Sequence, residues 1–393
     1  PGGSIIPVFD ALYDYQNDFN YILMRHEQAV THAAEGYARA SGKPGVCIVT
    51  SGPGATNTIT GIGDAMMDST PMIVITGQAN AASLGTDAFQ EIDLVGITQP
   101  ITKWSYQIRR AEDIAYAVAR AFHIATTGRP GPVVLDFAKN AQNELFEFQP
   151  QKISIARGYI PYPDLNEKQV DEVANLINES KKPLVLVGQG VILSNAEKEL
   201  LTFLEKADIP AASTLLGLSA MPSDFRLNKG FIGMHGNIAP NKKTNECDLL
   251  IGIGMRFADR VTGNVKTYAK QAKIVHIDID ISEIGKNIKT DAKILGDAKE
   301  VLIALTKKIK ENNHSEWIDS FKAFEEEEYN KVIKKSLYPS GDALTMGEVV
   351  RKVSDATHKD AILVTDVGQN QMESARYFQY TKSRSIVTSG GLG

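Results

Sequence analysis

A short apolar run, Val46-Cys47-Ile48-Val49-Thr50, ends in Ser51-Gly52-Pro53-Gly54, and residues that suit a helix begin near Ala55. A continuous apolar run bounded by glycine and proline reads as a strand buried on both faces, the kind found in a parallel sheet covered by helices. Upstream, Ala29, Ala33, Ala34, Tyr37 and Ala38 form an apolar helical pattern that stops at Gly42-Lys43-Pro44-Gly45. Helix, strand, glycine turn and helix in this order constrain the chain to an α/β fold. The glycine turn also lets backbone N–H groups approach a ligand closely. Glu27 stands at the mouth of this unit, near the start of the first helix. On its own, that position reads first as a carboxylate that only complements the helix dipole.

The same alternation continues. Residues 46–51, 71–77 and 132–137 read as strands, with helical segments at 55–68 and 112–126. Residues 148–163, with Gln149, Pro150, Arg157-Gly158, Pro161 and Pro163, lack periodicity and read as a linker. Beyond it lie strands at 183–188, 247–254 and 273–280 and a charged amphipathic helix at 195–207. A charged helical stretch follows from Lys299 to about Ser336, whose Glu325-Glu326-Glu327-Glu328 run is expected to be exposed. A further unit starts near residue 339, with a helix at 345–357 and a strand at 361–366. The expected fold is α/β with three doubly wound parallel-sheet units, at 1–147, 164–338 and 339–393.

Composition narrows the function. The 393 residues carry a formal charge of −5 without a dense basic block, which argues against nucleic acid or an anionic membrane as partner. Lys307-Lys308-Ile309-Lys310 comes nearest and reads as a solvated face. No apolar run reaches the roughly 18 to 20 residues that span a bilayer. The two cysteines, Cys47 and Cys247, are too few for a disulfide framework or a zinc site and fit a reducing compartment such as the cytoplasm. The sequence opens at Pro1 without an initiator Met or a signal-like segment, so the natural N-terminus is expected to be absent and targeting cannot be judged from it. His26-Glu27-Gln28-Ala29-Val30 lacks the second His of a zincin, and no Walker lysine follows Gly52-Pro53-Gly54. Gly188-Gln189-Gly190 and Gly252-Ile253-Gly254 lack the third glycine of the dinucleotide fingerprint, which weakens a nicotinamide reading.

Taken together, Arg25-His26-Glu27-Gln28, Ala34-Glu35-Gly36-Tyr37-Ala38-Arg39 and Thr50-Ser51-Gly52-Pro53-Gly54-Ala55-Thr56-Asn57 resemble the pyrimidine-binding domain of thiamine diphosphate enzymes. The wording is most similar to the catalytic large subunits of acetohydroxyacid synthases, also called acetolactate synthases, and the resemblance runs through essentially the whole chain. It implies that Glu27 hydrogen-bonds a ring nitrogen of the aminopyrimidine and drives the cofactor tautomer that removes the thiazolium proton. An apolar setting that raises its pKa is expected for that task. Thr86-Asp87-Ala88-Phe89-Gln90-Glu91 resembles the family motif in which Phe89 and Gln90 would line the pocket over the thiazolium ring. Lys139 matches a lysine at the channel mouth, and Gly2 and Gly3 match a glycine loop beside the reacting substrate.

The resemblance also implies FAD in the middle unit, without net redox chemistry. Gly188 and Gly190, Gly233-Met234-His235-Gly236, Gly254-Met255-Arg256, Asp259-Arg260-Val261, and His276-Ile277-Asp278-Ile279-Asp280 match flavin-holding stretches, as does Arg129 in Gly128-Arg129-Pro130-Gly131-Pro132. Ala258 stands where the family usually has Asp. Met234 and Arg256 match residues that select the second 2-oxo acid, Arg256 by pairing with its carboxylate; a structural salt bridge is the alternative for Arg256. Gly368, Gln369 and Asn370 resemble the loop that cradles the diphosphate, although Asn370 and Glu373 replace the usual His and Trp. The sequence stops before the family's Gly-Asp-Gly and Asn magnesium motif, so the Mg2+ ligands are expected beyond Gly393, no metal ligand is assigned within the chain, and the chain alone is expected to be inactive.

The implied reaction decarboxylates pyruvate and joins the two-carbon unit to a second pyruvate or to 2-oxobutyrate, the first common step toward valine, leucine and isoleucine. The implied assembly is a homodimer or homotetramer with sites between subunits and a small regulatory subunit. Rival readings are a pyruvate oxidase or another flavin-containing carboligase, and a catalytically idle flavin-binding paralogue.

Overall fold

The computed structural model describes residues 1–153, 158–341 and 343–393. Residues 154–157 of the expected linker, Arg157 among them, and residue 342 of the expected third unit lie outside the described residues. The chain forms two compact units, Pro1–Pro161 with Ser389–Gly393, and Tyr162–Thr388.

The first unit is built on a parallel sheet of β1 (Gly45–Val49), β2 (Met72–Gln78), β3 (Trp104–Ile108) and β4 (Pro132–Ala138), in the spatial order β1-β2-β4-β3. Successive residues of the central strands feed opposite cores, as the two-residue strand period requires. Met72, Val74 and Val134 pack with Ala34, Ile62 and Ala65 of the helices Glu27–Ser41 and Ile59–Met67. Ile73, Val133 and Leu135 pack with Ala117, Ala121 and Ile124 of the helix Ile114–Thr126. Each large apolar side chain so buried contributes on the order of 1.5 to 3 kcal/mol.

Three details of this unit differ from the sequence reading. Ala33 and Tyr37 are exposed, and the buried face of their helix is Thr31, Ala34, Glu35 and Ala38. Glu35 can lie inward because Arg39, one turn on, pairs with it at 2.8 Å. The expected helix 55–68 is two pieces, Pro53–Thr56 and Ile59–Met67, separated at Asn57 and Thr58. Part of the expected linker also packs inward, since the Tyr159 hydroxyl donates to the Thr127 carbonyl at 2.6 Å.

In the second unit β5 (Pro183–Val187), β6 (Ala211–Ser213), β7 (Asn228–Phe231), β8 (Leu249–Ile253), β9 (Lys273–Asp278) and β10 (Ala292–Leu295) form one parallel sheet, ordered β10-β9-β8-β5-β6-β7. The chain enters at β5, runs outward to β7, then returns to β8 and runs outward the other way. That reversal between β5 and β8 is a topological switch point, where open α/β sheets form a ligand crevice beyond the strand ends. A small parallel pair, β11 (Leu363–Val364) and β12 (Ile386–Val387), belongs to the same unit. The acidic run is not wholly exposed. Glu328 is buried, accepting from Asn237 Nδ2 and Ile238 N at 2.8 Å each and pairing with Arg376.

Cys47 and Cys247 are both free and buried, and burial pushes each thiol up to about 12. A thiolate is the reactive form. Both cysteines are therefore expected to resist a thiol-titrating reagent in the folded protein and to react together once urea unfolds it; rapid native labelling of either would contradict their placement. Among the described residues, no helix is long and apolar enough to cross a membrane.

Candidate functional site

Gly2, Glu27, Gln90 and Lys139 lie at the carboxyl-terminal ends of the strands of the first unit, the face where parallel α/β sheets place ligands, whereas Arg129 precedes β4 at the opposite ends. The N-terminal loop is fastened there. Ser4 Oγ lies 3.0 Å from Thr50 Oγ1 and accepts from Ser51 N at 3.0 Å, while the Ser4 carbonyl accepts from Gln142 Nε2 at 2.7 Å. A Cβ on Gly2 would lie 2.5 Å from Thr50 Oγ1, so only glycine fits against that strand end, whereas Gly3 faces open space.

Glu27 is the first residue of its helix, and the His26 side chain caps the helix by accepting from Gln28 N at 3.1 Å. The break at Asn57 is what turns that amide toward Glu27, and Asn57 Nδ2 donates to Glu27 Oε2 at 3.1 Å. The other carboxylate oxygen faces the glycine turn, since a Cβ on Gly54 would sit 3.6 Å from Glu27 Oε1 and 2.6 Å from Thr50 Cγ2. The expected apolar, pKa-raising setting is not observed. The Asn57 hydrogen bond holds the Glu27 carboxyl below its ordinary value, outweighing the small effect of its burial. The side chain is only half-buried, so water competes with any desolvation.

Gln90 joins this group through Gly52. Both have positive φ, +60° and +57°, and a Cβ on Gly52 would come within 2.9 Å of Gln90 Cβ. Glu91 braces the loop, accepting from Gly85 N and from Ala88 N at 2.9 Å, and those backbone donors lower its pKa. Phe89, by contrast, is 89% exposed. Lys139 begins a short helix directly after β4, with its side chain exposed and its N–H donated to the Ala79 carbonyl at 3.3 Å. Asn57 and Glu91 were missed from the sequence. The adjoining motif strings contain both, but only the fold shows that one faces Glu27 and the other closes its own loop.

Beneath this face, His32, Glu35 and Asp64 bring ligand-type atoms within 4.8 Å of one another. Arg39 already pairs with Glu35 and with Asp68, Thr70 Oγ1 donates to Glu35 at 3.2 Å, and Ser389 Oγ donates to Asp64 at 2.7 Å. Burial pushes the Glu35 carboxyl up to about 7, against the pull of Arg39 and with help from Asp64. A proton thus relieves the crowding of acids. Folding takes up that proton, so this group's contribution to stability falls as pH rises from 4.5 to about 7. Glu35→Gln, which mimics the protonated acid, is expected to gain urea resistance relative to the parent as pH is raised from about 5 to about 8. A parent–variant difference independent of pH would show that Glu35 is ionised throughout.

In the second unit, the switch point is closed by glycines. Gly190 N donates to the Gly254 carbonyl at 3.0 Å, and a Cβ on Gly188 would lie 2.0 Å from that oxygen. Gly233–Gly236 and Asp259–Val261 also meet: Met234 N donates to the Arg260 carbonyl at 2.7 Å, and Arg260 Nη1 lies 3.6 Å from Met234 Sδ. Met234, His235, Asp259 and Arg260 are exposed, and Val261 is half-buried. Arg256 is half-buried and has no ion pair among the described residues, so the structural salt bridge considered for it is not found. The turn that carries it is held by buried His276, whose Nε2 lies 2.7 Å from the Met255 carbonyl, and by Phe257, whose ring meets the imidazole edge-on. Asp280 lies two residues past β9 in a tight turn, accepting from Ser282 N and Oγ. Arg129 belongs to the first unit, where its Nε donates to Ser69 Oγ at 2.9 Å.

Gly368, with φ +126°, leads from β11 into the helix Gln369–Tyr377, and Gln369 and Asn370 lie exposed in its first turn. A glycine entering a helix N-terminus leaves unpaired N–H groups for an anion.

Comparison with known proteins agrees with this layout. The N-terminal TPP-binding domain of thiamine pyrophosphate enzymes matches residues 1–97, and the central domain of the same enzymes matches residues 170–305. Over its full length the chain is 46% identical to a probable acetolactate synthase large subunit of Methanocaldococcus jannaschii, covering 67% of that protein. It is 44% identical to the acetolactate synthase large subunit of Corynebacterium glutamicum and 43% to that of Lactococcus lactis, covering 63% and 68% of them. The chain belongs to the acetolactate synthase large-subunit family. It spans about two thirds of the length of these relatives. The match to the N-terminal domain falls within the first unit and the match to the central domain within the six-stranded unit.

Proposed function

We propose that the protein carrying this chain is an acetolactate synthase, which decarboxylates pyruvate and transfers the two-carbon unit to a second pyruvate or to 2-oxobutyrate, in branched-chain amino-acid synthesis in the cytoplasm. The observation that carries the reading is the meeting of Glu27, Asn57 and the Gly52–Gly54 turn at the strand ends, with Gln90 against Gly52. The cradle suits an aminopyrimidine: a Cβ at Gly54 would fill the space beside Glu27 Oε1. Thiamine diphosphate, when bound, supplies the electron sink for decarboxylation. Glu27 holds and returns a proton at the pyrimidine ring nitrogen, and Asn57 fixes the carboxylate orientation. Gln90, with Gly2 and Gly3, lines the side from which substrate arrives, with Phe89 as its apolar wall. Lys139 adds positive charge on that face, which attracts 2-oxo acids. Gly368, Gln369 and Asn370 are assigned to the diphosphate.

FAD is assigned to the second unit. Its strand order matches that of dinucleotide-binding sheets, and the glycines at 233, 236 and 254 keep backbone bare at strand ends, with Arg260 available to a pyrophosphate. Gly188, Gly190, His235, Asp259, Val261, Asp280 and Arg129 complete the assignment. Magnesium enters only with the diphosphate. His32, Glu35 and Asp64 do not suit it, because an imidazole and an adjoining guanidinium make a poor setting for an ion that prefers oxygen ligands. The domains are taken as 1–147 for the pyrimidine, 164–338 for the flavin, and the segment from 339 for the diphosphate. Exposed Tyr13, Tyr15, Phe19, Ile22 and Leu23, directly after the N-terminal loop, support a homodimer or homotetramer in which a second copy covers this face. A small regulatory subunit is a further expected partner.

The test is turnover by the enzyme with pyruvate alone, then with 2-oxobutyrate added, with both products identified by mass. Acetolactate with pyruvate and the mixed product with both substrates are expected; pyruvate consumption without either product would reject the reading. Met234 and Arg256 are assigned to the acceptor, Arg256 by a two-point contact with its carboxylate that a lysine cannot reproduce. Arg256→Lys should raise the acceptor KM at least about tenfold, in line with about 1.5 to 3 kcal/mol for a charge-assisted hydrogen bond. An unchanged KM and product ratio would make Arg256 structural.

A further inference from the structure

The loop that carries Phe89 and Gln90 rises from the end of β2 and returns near Ile92, and a single buried side chain grips both of its stems. Gln78, the last residue of β2, is 1% exposed. Its Oε1 accepts from Ala79 N at 2.8 Å, at the start of the loop, and its Nε2 donates to the Ile92 carbonyl at 2.9 Å, at the end. An amide can make both contacts in only one of its two orientations. Asp136, fully buried on the neighbouring β4, holds that orientation: its Oδ2 accepts from Gln78 Nε2 and from Gln107 Nε2 at 3.0 Å each, and its Oδ1 accepts from Thr76 Oγ1 at 2.8 Å. Three donors from two strands, Thr76 and Gln78 of β2 and Gln107 of β3, converge on one carboxylate of β4, so the grip is anchored to the sheet itself.

Such anchoring has something to work against. Asp87 and Gln90 both sit at positive φ, +58° and +60°, conformations that L-residues adopt at a cost. Glu91 braces the upper part of the loop, but both of its contacts lie within the loop and tie it to nothing below. We propose that Gln78 and Asp136 form a buried clamp that positions Gln90 against Gly52 and Phe89 beside it, making both clamp members positioning residues for the acetolactate synthase site. The functional half of this inference rests on the proposed function; the mechanical half does not.

Chemistry selects the variants. In Asp136→Asn, the amide oxygen can take the place of Oδ2 and accept from both glutamines, while its NH2 turns to Thr76 Oγ1, which can accept. This variant keeps the clamp. Gln78→Ala removes both stem contacts. Gln107→Ala removes a donor to Asp136 and the exposed bond from Arg109 Nε to Gln107 Oε1 but no contact with the loop, so it reports the loss of hydrogen bonds away from the loop stems. Hydrogen exchange over residues 79–92, measured in the whole enzyme, is expected to accelerate at least tenfold in Gln78→Ala and to stay within about twofold of the parent in Asp136→Asn and Gln107→Ala.

Turnover with pyruvate is expected to fall at least tenfold in kcat for Gln78→Ala, with Asp136→Asn restoring most of what Asp136→Leu loses. Unchanged loop exchange in Gln78→Ala would overturn the clamp, as would equal loosening in Gln107→Ala. Should Asp136→Leu fail to fold, the other three variants still decide. Should the parent enzyme form no acetolactate, the proposed function fails while the exchange comparison still settles the clamp; loosened exchange with unchanged kcat would overturn the positioning role.

Discussion

Glu27→Gln is expected to lower turnover of the enzyme by about 10²- to 10⁴-fold, the range a positioned proton-transfer group contributes. The fold should hardly notice. A glutamine oxygen can still accept from Asn57 Nδ2, and the loss of one negative charge at a helix start costs about 0.3 to 1 kcal/mol. The Asn57 contact keeps the carboxyl below its ordinary value. On the proposed function, a bound heterocycle that excludes water from this half-open position would act in the opposite direction, since desolvation disfavours the charged form. Two readouts separate this role from a structural one. Exchange of the cofactor's thiazolium C2 proton should slow with turnover, while the urea midpoint stays near that of the parent. Parent-like C2 exchange in Glu27→Gln would remove Glu27 from proton transfer.

The second large effect is structural. Gly188 has φ −99° and ψ −179°, ordinary extended backbone, so conformation does not demand glycine there. Space does. A Cβ would lie 2.0 Å from the Gly254 carbonyl oxygen and 2.6 Å from Met255 Cβ, and the first of these obstacles is backbone that cannot rotate away. Accommodating it means parting the loops after β5 and β8, including the Gly188 N to Ile253 carbonyl bond at 2.9 Å and the Gly190 N to Gly254 carbonyl bond. Gly188→Ala should cost about 3 kcal/mol or more, at the upper end for overpacking. Gly36→Ala provides the contrast. Its added Cβ meets nothing within 4 Å in the middle of a helix, and about 0.5 to 1 kcal/mol of stabilisation is expected. Denaturant midpoints of the two variants check both; a Gly188→Ala midpoint within about 1 kcal/mol of the parent would mean that the switch point opens cheaply.

These cases show which features were legible in the sequence. β2, β4, β5, β8 and β9 could be read because strands buried on both faces leave continuous apolar runs between glycines and prolines, and β1 carries the same kind of run although, as an edge strand, it leaves Val46 exposed rather than buried as expected. β3, β6, β7 and β10 could not. Trp104–Ile108 is half-buried along most of its length, Ala211–Ser213 is very short, and Asn228–Phe231 and Ala292–Leu295 mix polar with apolar residues. Such strands form because a neighbouring strand offers hydrogen bonds, and a linear pattern does not contain the neighbour. The same limit explains the buried Glu328: an acid run reads as solvated unless the distant Arg376 and the loop at Asn237 are known to reach it.

By itself, the sequence determined the α/β class, the glycine turn after β1, the helix start that carries Glu27, and the family. All of these are local strings whose meaning depends on residues a few positions apart. Only the tertiary structure decided that Asn57 faces Glu27 and lowers its pKa, that Gln90 rests on Gly52, that Glu35 lies inward on Arg39, and that Gln78 bonds Asp136 beneath the loop. The reason is physical. A side chain's pKa, exposure and orientation are set by partners tens of residues away, brought within 3 to 4 Å by strand order, and strand order is fixed by packing of the whole sheet rather than by any one segment.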